Sequence, residues 1–125
     1  MIVLTTNEVL SIHDKIVKTT GGSPGLRDIG LLDSAVMSCL QTFGGEDIYP
    51  TVVEKAARMA YSICKNHPFV DGNKRVAVTA LLVTLRMNDI TIKFTQDELI
   101  TFGLSLADGS IAYDDIVSWV NNHIV

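Results

Sequence analysis

Only two cysteines occur in the 125 residues, Cys39 and Cys64, and no CxxC pair exists. Each sits among apolar neighbours at helical spacing, which reads as two buried thiols in a reducing compartment. Basic charge is equally scarce. Lys and Arg number 10 against 14 Asp and Glu, a formal net charge of -4. Phosphate backbones demand a basic face, so the chain is a poor candidate for a stand-alone nucleic-acid binder. Long apolar runs are missing too. The longest lies between Arg75 and Arg86 and is broken by Thr79 and Thr84, whereas a membrane helix needs ~20 apolar residues. The opening Met1-Ile2-Val3-Leu4 has no basic flank and no small-residue cleavage site, so it does not read as a signal peptide. There is no repeat, low-complexity tract or linker. The expectation is one domain over residues 1–125, without a membrane association, in the cytoplasm.

Apolar residues make up 47% and charged residues 19%, too apolar for a disordered tail. A chain of this length buries roughly two thirds of its unfolded surface, so neither disulfide nor structural metal is required. Helical periodicity dominates. Thr5 and Glu8 have capping-box spacing, and Val9, Ile12, Ile16 and Val17 follow until Gly21-Gly22 stops the run. Leu31, Leu32, Ala35, Val36 and Cys39 predict a second helix ending near Phe43-Gly44-Gly45. A third starts around Thr51 and closes at His67-Pro68, since a residue before proline is pushed from helical geometry. A fourth opens near Asp71-Gly72-Asn73 and runs to about Asn88. Ile90, Ile92 and Phe94 alternate with polar residues as a short extended piece. Thr95 and Glu98 repeat the capping box and open a helix to Asp108-Gly109; a last helix covers Tyr113 to His123, with Ile116, Val117, Val120 and Ile124 inward. The fold class is all-α. Gln41 to Pro50 is the least regular connection.

One segment stands apart: His67-Pro68-Phe69-Val70-Asp71-Gly72-Asn73-Lys74-Arg75. A helix start offers unpaired N–H groups and the positive end of the dipole, a natural seat for phosphates. Gly72 lets a ligand approach the backbone. Asn73 can donate to an oxygen, and Lys74 and Arg75 add positive charge. Asp71 is a hard oxygen ligand of the kind that holds Mg²⁺ with nucleotide phosphates. His67 supplies a side chain able to take a proton near neutrality. Singly, each has a plainer reading: Asp71 as a helix cap, His67 as a partner of the third helix's negative end, Lys74 and Arg75 as a solvated face. Their coincidence within one turn favours a site.

The nine residues resemble the signature loop of the Fic/Doc family: histidine, any residue, phenylalanine, any residue, an acid, glycine, asparagine, glycine or lysine, and arginine. Every specified position is filled. Gly21 to Ala35, Ile12-His13-Asp14 and Gln41 to Gly45 are similar to the Doc branch of that family. The likeness runs in detail from about Val9 to Asn88, and the length suits a bare domain of this branch. It implies a compact bundle of about six helices with the loop between two central ones. It also implies ATP and Mg²⁺ as cofactors and a protein hydroxyl as acceptor. His67 then corresponds to the general base, Asp71 to the Mg²⁺ ligand and Phe69 to the core anchor. Gly72, Asn73, Lys74 and Arg75 correspond to the nest around the nucleotide phosphates.

Family members that transfer AMP usually carry glycine in place of Lys74 and a second arginine in place of Val78. The Doc branch shares lysine and the missing arginine, and its members resemble kinases: the γ-phosphoryl group goes to a threonine of elongation factor Tu. The resemblance therefore implies a kinase-type toxin of a type II toxin–antitoxin system that inhibits translation. AMP transfer and a non-catalytic interaction domain are the alternatives. It also implies a separate Phd-like antitoxin whose disordered segment folds on contact. An internal inhibitory helix is not expected: its pattern is approached only at Thr42 to Glu46, where Asp47 follows in a loop. Gln41 to Pro50 is either the docking site for the target protein or an ordinary loop.

Overall fold

The computed structural model describes residues 1–125. Six helices follow one another: α1 Thr6–Thr20, α2 Ile29–Met37, α3 Val52–Asn66, α4 Asn73–Met87, α5 Gln96–Asp108 and α6 Tyr113–His123. Most start where the sequence indicates. Thr5 and Thr95 close capping boxes with Glu8 and Glu98, and Asp28 and Thr51 cap α2 and α3 through their side chains.

α3 and α4 are the axis of the bundle. α3 also meets α2, α5 and α6, while α4 meets α1 and α5. The two central helices approach across small residues, since Ala56, Ala57 and Ala60 of α3 and Ala77 and Ala80 of α4 are all buried. Around them Leu32, Val36, Ile63, Val76, Leu81, Leu85, Ile116 and Val120 complete one continuous core. The fold is all-α apart from one small hairpin.

That hairpin corrects the expected second helix, which does not reach Phe43. α2 ends at Met37, tightens into a 3₁₀ turn over Ser38–Leu40, and gives way to strands β1 Thr42–Phe43 and β2 Glu46–Asp47. Gly44 and Gly45 both take positive φ, as a two-residue hairpin turn requires. Buried Lys55 secures the turn and hairpin to α3: its Nζ donates to the Cys39 carbonyl at 3.2 Å and to Asp47 Oδ2 at 3.3 Å. A second correction concerns Ile124. The backbone leaves helical geometry there, Ile124 pairs with Ile92 as an isolated bridge, and its side chain is exposed rather than inward.

A latch joins the start of α5 to the end of α6. Glu98 accepts the Thr95 N–H through Oε1 at 2.9 Å and meets His123 Nε2 through Oε2 at 2.7 Å. The His123 ring stacks on Trp119, and its Nδ1 donates to the Trp119 carbonyl at 2.6 Å. The Thr95 N–H, followed by the His123 contact, draws the Glu98 carboxyl down to about 2. The Trp119 carbonyl, followed by Glu98, raises His123 above its ordinary value. The Glu98 share of stability is therefore complete above 4.5 and lost as pH falls from there toward about 2. The His123 share is complete below 6.5 and lost as pH rises through its raised pKa. Thermal melts of Glu98→Gln should show the largest loss of Tm at about pH 5.5, with the gap to the parent protein narrowing at about pH 3 and about pH 9.

Candidate functional site

The loop between α3 and α4 owes its shape to contacts on both sides. α3 stops at Asn66, and His67 turns left-handed at φ 52, a position few non-glycine residues occupy. Arg27 holds that turn in place: its Nε donates to the His67 carbonyl at 2.7 Å and its Nη2 to the Asn66 carbonyl at 2.8 Å. These are carbonyls at the end of α3, so the guanidinium caps the helix and offsets its dipole. The segment from Gly22 to Asp28 runs alongside the loop as a strap. Arg27 and Asp28 N–H groups donate to the Pro68 carbonyl, and Val70 N–H donates to Gly25.

Within the loop, Phe69 drops into the core at 1% exposure. Its backbone would be buried without partners were it not for Asn73. The Phe69 N–H donates to Asn73 Oδ1, and Asn73 Nδ2 donates to the Phe69 carbonyl, both at 2.9 Å. This corrects the expectation that the Asn73 side-chain amide faces a nucleotide oxygen. The amide is buried and engaged in holding the loop, and the Asn73 backbone N–H belongs to the uncapped helix start.

Gly72 is the N-cap of α4, left-handed at φ 84, and no side chain caps the helix. Asp71 does not cap it either; its Oδ1 accepts the neighbouring Gly72 N–H at 2.8 Å. The first-turn N–H groups of α4 thus stay open to a ligand, unlike those of α1, α2, α3 and α5. His67, Asp71, Gly72, Asn73, Lys74 and Arg75 all line one cleft of about 290 Å³, with Cys64 and Leu106 among its walls. Burial pushes the Cys64 thiol up to about 11, against a smaller opposing pull from Lys74, so Cys64 is an inert wall. His67 is exposed to solvent on this rim, opposite the α4 start.

Arg75 is partly exposed and tied to the end of α1 and to Asp71. Nη1 donates to Thr20 Oγ1 at 2.6 Å and to the Gly21 carbonyl at 3.1 Å, and Nη2 lies 3.7 Å from Asp71 Oδ2. The second Asp71 oxygen also accepts the Ser23 N–H at 3.3 Å. These contacts are long and the carboxylate is half exposed, leaving room for a hard cation. Asp71 is the single carboxylate of the cleft, and no group of three potential protein ligands surrounds it. A Mg²⁺ ion that keeps waters and takes most other ligands from phosphate oxygens fits such a donor set.

Three residues that hold the site were given no role by the sequence: His13, Gly22 and Arg27. His13 and Arg27 lie within the stretches that resemble the family, but no local pattern ties them to a loop 40 or more residues away.

A family model described as the Fic/DOC family matches residues 3–85. The chain belongs to the Fic/DOC family. It is 43% identical over 72 residues to the Toxin Doc of Mycolicibacterium smegmatis (strain ATCC 700084 / mc(2)155), a match spanning 58% of this chain and 55% of that relative. It is 26% identical over 113 residues to the Protein kinase doc of Escherichia phage P1, across 90% of this chain and 88% of the relative.

Gly22 is where side-chain bulk should be felt most. A Cβ there would lie 2.5 Å from Asp71 Oδ2 and 2.9 Å from Arg75 Nη2, at a φ of +108. Gly21 has a positive φ as well, with nothing within 4 Å. Both Gly→Ala variants should lose about 1–3 kcal/mol in denaturant unfolding from backbone strain. Only Gly22→Ala should displace the Asp71 and Arg75 side chains, as crystal structures of the two variants would record.

Proposed function

We propose that this protein is a toxin that transfers the γ-phosphoryl group of Mg-ATP to a threonine hydroxyl of a target protein, with elongation factor Tu as the expected acceptor and arrested translation as the outcome. The observation that carries the reading is the meeting, in one cleft, of an exposed imidazole, a single half-exposed carboxylate, and an uncapped helix start flanked by Lys74 and Arg75. The kinase name of the phage relative, aligned over most of both chains, supports it.

Phosphoryl transfer asks mainly for positioning and charge stabilisation. Asp71 would hold Mg²⁺, which when bound neutralises charge on the phosphates. The backbone N–H groups of Asn73, Lys74 and Arg75 cradle phosphate oxygens at the positive end of α4. Lys74 and Arg75 add cationic charge. His67 takes the proton from the attacking threonine oxygen, the oxygen–phosphorus bond forms, and the bond from γ-phosphorus to the bridging oxygen breaks to release ADP. Asn73 keeps the loop in register from beneath.

AMP transfer differs only in which phosphorus faces His67. Lys74 in the loop and the neutral Val78 one turn on favour the γ-phosphorus, because the cations decide where the triphosphate settles.

Two surfaces suit the partners. An apolar groove of about 340 Å³, walled by Ile16, Val78, Leu99, Ile100 and Leu104, opens beside the cleft and shares Lys74 and Arg75 with it. An antitoxin segment folding into it would reach both cations. The hairpin 42–47, with Phe43 at 83% exposure on a short strand, is the docking element for the target protein.

His67→Ala should reduce transfer to background while Mg-ATP binding by calorimetry stays near that of the parent protein; an active variant would remove the base assignment. Incubation with elongation factor Tu and ATP labelled on either the α- or the γ-phosphate should label the acceptor from the γ position alone. Lys74→Gly should lower that γ-labelling by about a hundredfold or more, the usual scale for a lost charge-stabilising group.

A further inference from the structure

Of the three histidines, only His13 is buried, at 4% exposure in α1. Its ring lies face to face on Phe69, with centroids 3.9 Å apart and planes 10° from parallel. Its Nε2 sits 2.8 Å from the Asp71 carbonyl oxygen. A carbonyl brings no proton, so Nε2 carries it and donates. The ring also lies just beneath Gly72, where a Cβ would meet it at 3.6 Å.

A histidine present only to fill space would not need its donor aimed at this particular peptide. Residues 25 to 28 hold the first half of the loop at His67, Pro68 and Val70, Asn73 takes both backbone groups of Phe69, and His13 takes the carbonyl of Asp71. Next to the His13 contact, the Asp71 side chain and the first N–H groups of α4 face the cleft. The peptide joining Asp71 to Gly72 is the hinge of that arrangement, because Gly72 is left-handed and, lacking a Cβ, has a wider choice of backbone angles than any other residue.

We propose that His13 is a positioning residue: by fixing the Asp71–Gly72 peptide it sets the direction of the Asp71 carboxylate and of the α4 N–H groups toward a Mg²⁺-bound nucleotide. The assignment rests on the reading of the cleft as a Mg-ATP site. Without the donor, the peptide turns more freely, and metal and phosphates meet a site that must order itself on binding.

Two variants separate donor from ring. His13→Phe keeps the stack on Phe69 and removes the N–H; His13→Gln keeps an N–H at similar reach and removes the stack. Mg²⁺-dependent binding of ATP is followed by calorimetry, transfer to elongation factor Tu by steady-state kinetics, and loop order by amide exchange over residues 69–75. His13→Phe should lose about tenfold in ATP affinity and in kcat, the size expected for one lost hydrogen bond to a half-buried carbonyl. Its KM for elongation factor Tu should not change, and His13→Gln should recover most of the loss. Full ATP affinity and kcat in His13→Phe would overturn the proposal, as would equal losses in both variants in step with their Tm. Should the parent protein bind no Mg-ATP at all, the functional reading fails separately. The exchange data then decide His13: faster loop exchange in the Phe variant alone upholds its role, and unchanged exchange refutes it.

Discussion

Two hydrogen bonds between Asn73 and the backbone of Phe69 are the constraint on which the site rests. Phe69 must be buried, because its ring completes the core between α1 and the central helices. Burying it takes its N–H and C=O out of water, and each would cost about 1–3 kcal/mol if left unpaired. The side chain of Asn73 answers both groups at once. A demand of the core is thereby met by the first residue of α4, and the turn between is forced into one shape. That shape leaves Gly72 at the head of the helix with no capping side chain. Stability and binding geometry come from the same pair of contacts.

Much of this was legible in the sequence because it is local. The capping boxes at Thr5 and Thr95 span three residues and need no tertiary help. The loop from His67 to Arg75 is contiguous, so its family likeness could be read directly. What escaped was non-local or hinged on a change of period. The apolar spacing through Cys39 continues a helix on paper, yet the chain tightens at Ser38 and turns back at Gly44-Gly45, where Lys55 of another helix holds it. Ile124 keeps the helical phase of Val117 and Val120, but the backbone has already left the helix. Asn73 carries the right residue type for a phosphate donor; only the buried Phe69 backbone reveals that its amide is engaged elsewhere.

The site also divides its labour by distance from the cleft. His67, Asp71 and the head of α4 face the cleft, while His13, Gly22 and Arg27 touch the loop from behind. Lys74 and Arg75 border both the cleft and the apolar groove between α1, α4 and α5. A partner lying in that groove and a nucleotide lying in the cleft would compete for the same two cations, a direct physical route from partner binding to control of the site.

The strap from Gly22 to Asp28 has a consequence for how the protein comes into being. Its bonds to the loop join residues 39 to 48 positions apart, and His13 reaches across 58. Such pairings form only once the intervening helices have collapsed, since distant segments meet late in folding. A nascent chain emerging from the ribosome can already display His67, Asp71 and Arg75, but not their arrangement. The cleft exists only after closure of the bundle, so a half-made or locally melted copy carries these side chains without their arrangement.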